Sequence, residues 1–309
     1  MQTTTFAERY QNGDYVAVWD ELVSLGAGVR HELYYEDAVA VATETMRRVR
    51  HNIELLIPRL ATAGYRFIPP GDEYVPDIEG SIDANVQRMM QQPMQPNVPG
   101  LDMQAYMEKA AAKAKERLAP MLAEMEERRK KKRAEVAKML KIPPMENPKV
   151  FDPPSGKTEG QLKKIEKAAG GPLPISLRAW YEQVGGVSLM GSHPVFNTNQ
   201  DPLADPLVVC PLGELLQMMD MFGDECDEGV ALWLSPDDLH KANISGGDPY
   251  IITVPNAGAD APFENECHET TFVNYLREAF HWGGFPGLKH SSNPPLQQIE
   301  ELTAGFLPF

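Results

Sequence analysis

Apolar side chains recur at helical spacing through the first 65 residues of this 309-residue chain. Residues 6–25 carry Tyr15, Val16, Val18, Trp19, Leu22 and Val23 in a mixed stripe that ends at Gly26 and Gly28. The pattern sharpens over 36–63. There Val39, Ala42, Met46, Val49, Ile53, Leu56 and Leu60 fall alternately three and four apart, the seam of a helix lying along another helix. The expected partners are the preceding helix and a longer one downstream, and the seam leaves these N-terminal helices able to self-associate. Gly64 ends the seam in a left-handed conformation that glycine reaches cheaply. A short apolar piece, 65–68, then precedes Pro69-Pro70-Gly71.

Residues 76–100 hold four prolines amid Gln, Met and Asn and read as a linker. Residues 101–141 have no Gly and one Pro, Pro120, and are rich in Ala, Lys, Glu, Arg and Met, which predicts one long helix. Its seam at Leu118, Leu122 and Met125 is interrupted by Arg129 and Lys132, inside the basic run 128–133. Prolines at 143, 144, 148, 153 and 154 then mark a boundary. Beyond it, helical stretches are predicted at 158–169, 175–184, 212–220 and 271–280, with short strands at 187–190, 207–210, 230–234 and 250–254. Helices at both ends of an antiparallel run of strands indicate an α+β fold. The expected organisation is a helical domain (1–75), a linker (76–100), a basic helix (101–141), a second domain (150–290) and a tail (291–309), with 150–309 able to fold alone.

Charge sharpens this division. The net charge is −15, but residues 101–141 are net +5 between 1–100 at −6 and 150–290 at −12. Acidic bodies repel nucleic acid, whose binding needs phosphates neutralised by Lys and Arg, and they attract basic partners. No run of eighteen apolar residues is present and no apolar secretory leader follows Met1, so no membrane span and a cytoplasmic location are expected. Three cysteines, Cys210, Cys226 and Cys267, lack paired spacing, which argues against a disulfide framework.

Thr158-Glu159 opens a helix containing Leu162, Ile165 and Glu166. After Gly170-Gly171 come Leu173-Pro174, then Leu177, Trp180 and Tyr181, and a terminal Gly185-Gly186. An acidic helix, a Leu-Pro helix start, an aromatic at the far end and a glycine pair resemble the SUKH superfamily, which includes bacterial toxin-immunity proteins and fungal cell-wall regulators. The resemblance covers about half the chain and does not extend to residues 1–149. It implies a non-enzymatic protein-binding domain with an antiparallel sheet flanked by helices.

Candidate chemistry is sparse. Gly156-Lys157-Thr158 mimics the end of a P-loop, but Phe151 stands where the required glycine belongs. The acidic run 220–229 fails the alternation of a calcium loop, and Cys267-His268 has no second pair at ligand spacing. No cofactor, metal site or nucleophile is therefore expected. What remains is an acidic contact surface formed by Asp224, Glu225, Asp227, Glu228, Asp237, Asp238, Asp260, Glu264 and Glu266, suited to a basic toxin or effector. An adaptor that uses its two halves for different partners is the alternative, with an enzyme third.

Overall fold

The computed structural model describes residues 4–68, 103–139, 149–193, 196, 202–222, 229–242, 244, 247–266 and 269–309. The fold is α+β with the N-terminal part helical. Helix α1 (Phe6–Gln11) starts at a capping box, in which the Thr5 hydroxyl accepts from Glu8 N and the Glu8 carboxylate accepts from Thr5 N. Gly13, at φ 101, separates it from α2 (Tyr15–Ser24), so the predicted 6–25 stretch is two helices.

Helix α3 (Tyr35–Thr62) carries the seam, and the structure widens it. Ala38, Val41, Thr45 and Asn52 are buried along with Ala42, Met46, Val49, Ile53, Leu56 and Leu60, because α3 is covered on more than one side. One neighbour is α1, whose first amides, Phe6 N at 2.5 Å and Ala7 N at 3.0 Å, donate to the first-turn carboxylate Asp37 of α3. The most extensive helical contact is with α6 (Ile175–Gln183), far along the chain, where a partner among the first 141 residues was expected. The long helix α4 (Met103–Met139) exists as predicted, with Pro120 inside it and exposed pairs Arg128–Glu124 and Lys130–Glu127. The 76–100 linker lies outside the described residues.

The strands pair antiparallel throughout. Strand β2 (Phe151–Asp152) pairs with β3 (Gly186–Ser188), which pairs with β5 (Val208–Val209). Cys210 N donates to Leu234 O at 2.7 Å and so links β5 to β6 (Val230–Ser235). Strand β6 pairs with β7 (Tyr250–Val254), and the bridge Ile251–Glu264 leads to the pair β8 (Pro262–Phe263) and β9 (Thr270–Thr271). Helices α5 (Thr158–Ala168), α6, α7 (Leu212–Phe222) and α9 (Phe272–His281) pack around this series, with the short α8 (Asp238–Lys241) after β6. The strand β1 (Arg66–Phe67) belongs to the N-terminal part but pairs with β4 (Gly191–Ser192).

The motif residues act through the backbone. Pro174 caps α6, its carbonyl accepting from Arg178 N at 3.0 Å. Trp180 donates its indole N–H to Gly185 O at 2.6 Å, and the Tyr181 hydroxyl donates to Cys210 O at 2.9 Å. Leu173 is fully buried. Gly185 sits at φ 92 against the Asp152 carbonyl, and a Cβ on Gly186 would meet Pro211, so the pair lets β2 and β5 close on β3.

One hydrophobic core runs from Tyr10 and Leu22 through α3 and α6 to Phe280 and Phe309. The Pro-rich stretches therefore divide the chain without dividing its core. Arg30 seals the junction, donating to Leu173 O at 2.5 Å and Ala257 O at 3.0 Å. The expected tail, 291–309, contains α10 (Leu296–Thr303) with Ile299 and Leu302 buried, and packs back on α3. Ile68 and Val150 are bonded to neighbouring points of the second half: Ile68 N donates to Met190 O, and Ser188 N donates to Val150 O.

Candidate functional site

The nine acidic candidates separate into three groups. Asp224, Glu225, Asp227 and Glu228, between α7 and β6, lie outside the described residues. Asp237, Asp260 and Glu266 are structural carboxylates and not surface contacts. Asp238 and Glu264 remain accessible.

Each structural carboxylate satisfies backbone groups that would otherwise be orphaned. Asp237, 7% exposed, is the N-cap of α8 and accepts from His240 N at 2.8 Å. Glu266, 5% exposed, accepts from Thr270 N at 2.8 Å and closes the turn between β8 and β9. Asp260, 7% exposed, accepts from the Ser176 hydroxyl at 2.6 Å and from Val273 N at 3.0 Å, tying the starts of α6 and α9 together. Burial pushes its carboxyl up from the ordinary range, against the pull of those donors.

On the accessible side, Glu264 is exposed on the edge beside β7 and accepts from the Thr253 hydroxyl at 3.0 Å. Asp238 is half-buried at the start of α8, and its carboxyl is raised by burial first and then by the charge of Asp205. Asp248 and Glu269, which the sequence reading did not single out, are exposed on the loops before β7 and after β8.

Cations in this half are largely engaged internally. Arg178 alone holds Glu159 at 2.6 Å, Glu182 at 2.9 Å and Glu166 at 3.0 Å, joining α5 to α6. Lys163 pairs with Glu159 at 3.1 Å and Lys289 with Glu278 at 3.8 Å. Arg277 gives its N–H groups to Phe309 O, Tyr15 O and Asn274 Oδ1, and burial lowers its pKa. Lys241 is buried against Asp205. Five of the eight cations between 150 and 290 are therefore committed, while 20 carboxylates share the same stretch. The net charge of this half is therefore negative, 8 cations against 20 carboxylates.

A groove of about 480 Å³ runs along α9, lined by Thr270, Asn274, Arg277, Glu278, His281 and Lys289. Arg277 is already satisfied there, and Glu278 also accepts from the Trp282 indole at 3.0 Å, so few of its polar groups are open to a ligand. Among the described residues no three His, Cys, Asp or Glu side chains gather to hold a metal ion. The Cys210 thiol is half-buried and raised by burial, the opposite of a reactive thiolate, while Cys226 and Cys267 lie outside the described residues. Among the described residues no helix is long and apolar enough to cross a membrane.

Sequence reasoning missed the Lys241–Asp205 pair. A lone lysine after Asp237-Asp238-Leu239-His240 reads as a solvated loop cation, and nothing local announces a partner 36 residues away. No known family, characterised protein or solved structure matches the chain.

Proposed function

We propose that this chain is a non-enzymatic binding protein of the immunity type, which docks a basic toxin or effector in the cytoplasm through the acidic face of its C-terminal half. The observation that carries this reading is the internal engagement of that half's cations, which leaves carboxylates such as Glu264, Asp248 and Glu269 to set the external field. Such a face speeds encounter with a cationic groove and competes with nucleic acid for it. The resemblance of residues 158–186 to SUKH domains supports the same class of function.

One observation favours a second reading, an adaptor. Helix α4 lies in the net-basic stretch 101–141, where 12 basic side chains outnumber 7 acidic ones, a charge opposite to that of the C-terminal half.

The test is capture of the partner from the native cell with the full chain, then co-expression of the two and association kinetics between the purified proteins. Rescue of growth, with an on-rate that falls as salt shortens the screening length toward about 8 Å and below, is the expected result. Continued killing with no complex formed would overturn the immunity reading. Binding through α4 to an acidic partner would establish the adaptor.

A further inference from the structure

Lys241 and Asp205 meet where neither touches water. Lys241 Nζ lies 2.6 Å from Asp205 Oδ1, and the two side chains are 0% and 1% exposed. The ammonium sits 4.5 Å from the centroid of the Tyr250 ring, while Asp205 Oδ2 is buried without a hydrogen-bond partner. Both residues are rigidly presented. Lys241 ends α8, which Asp237 caps, and Asp205 is held in the left-handed region at φ 49. The backbone on either side of Asp205 is tied down as well, by Gly287 N on Ala204 O at 3.1 Å and by Leu207 N on Gly284 O at 2.8 Å.

An ion pair this dry is poorly compensated. Desolvation of two full charges rivals their attraction unless the remaining lone pairs are satisfied, and here one carboxylate oxygen is not. Becoming neutral removes that penalty. A reaction between two groups locked in contact also proceeds at effective concentrations far above any attainable in solution, on the order of 10⁵ M or more when the geometry is favourable.

We propose that Lys241 and Asp205 react with each other to form an intramolecular amide cross-link between side chains. A proton passes from Nζ to the carboxylate, which leaves an amine facing a carboxylic acid. The nitrogen lone pair adds to Cγ, forming the C–N bond. The tetrahedral carbon then loses its hydroxyl, which departs as water with a proton released from nitrogen. One C–N bond forms, one C–O bond breaks, one water leaves, and no oxidant or activating group is needed. The product carries no charge, and its burial protects the amide from hydrolysis.

The experiment is intact-mass measurement of the purified full chain under denaturing conditions, followed by digestion and peptide mapping. The expected wild-type mass is one water below the sequence mass, with a branched peptide joining the fragment that contains Asp205 to the one that contains Lys241. Lys241→Arg should return the chain to its full sequence mass. Because Lys241→Arg could misfold, the wild-type branched peptide decides the question by itself. Full sequence mass with both fragments recovered separately overturns the proposal, as does a lost water that maps to any other residue pair.

Discussion

Asn52 and Leu307 exchange two hydrogen bonds across 255 residues of chain: the Asn52 side-chain amide donates to Leu307 O at 3.0 Å, and Leu307 N donates to Asn52 Oδ1 at 2.8 Å. A buried polar side chain in the middle of α3 thereby mimics a strand and holds the end of the chain. Arg59, which donates to Leu302 O and Ala304 O, and Arg48, which donates to Pro308 O, extend the same seam. Replacing Asn52 with Ala leaves both backbone groups of Leu307 unpaired. A loss of about 1–3 kcal/mol in denaturant unfolding is expected, with faster amide exchange confined first to 304–309.

The glycine pair that follows α6 is predicted to be intolerant. Gly185→Ala adds a Cβ at φ 92 directly against the Asp152 carbonyl, so the penalty combines backbone strain with displacement of β2. A destabilisation of about 2 kcal/mol or more is expected in thermal or chemical unfolding. Gly213→Ala, which meets only the far end of Gln161 inside α7, should be neutral or mildly stabilising by the same measurement.

Stability should respond to pH in opposite senses at two carboxyls. Asp260 is raised by burial, so its contribution is fully present below the unfolded value near 3.9 and is lost as pH rises through the folded value. Asp260→Asn can keep both contacts, accepting from Val273 N and donating to Ser176, and should flatten that loss as pH rises above about 4. Glu44 is held down at about 2 by Arg47 first and Arg48 as well. Its contribution is present above the unfolded value near 4.3 and is lost as pH falls toward 2, a loss that Glu44→Gln should remove. Unfolding midpoints measured across pH 2–7 check both signs.

The acidic residues are predicted to differ by role. Neutralising Glu264, Asp248 and Glu269 together should slow association with a basic effector, read as a lower on-rate at low salt, while leaving the melting temperature within a degree or two. Glu266→Ala should do the reverse, lowering the melting temperature by several degrees because Thr270 N loses its acceptor.

Much of the fold is legible along the chain where periodicity is long. The α3 stripe, the helix at 103–139 and the helices at α5, α6, α7 and α9 follow from spacing and punctuation alone. Two-residue strands carry no period, and β2 lies among prolines that read as a boundary. The acidic residues are harder still, because Asp260 and Asp248 look alike in sequence. Ser176, 84 residues upstream, and Val273 N make Asp260 a buried link between helix starts. Tertiary partnership, not local chemistry, decides which carboxylates face a partner and which hold helices together.

The neighbouring anchors at Val150 and Ile68 also bear on what a broken chain would do. Cleavage anywhere in 69–148 severs one covalent path, yet α1–α3 and β1 stay clasped to α6, β4 and α10 by the shared core and by Arg30. The two fragments should co-elute as a non-covalent pair, separating only when denatured, and the same pieces made from separate genes should reassemble.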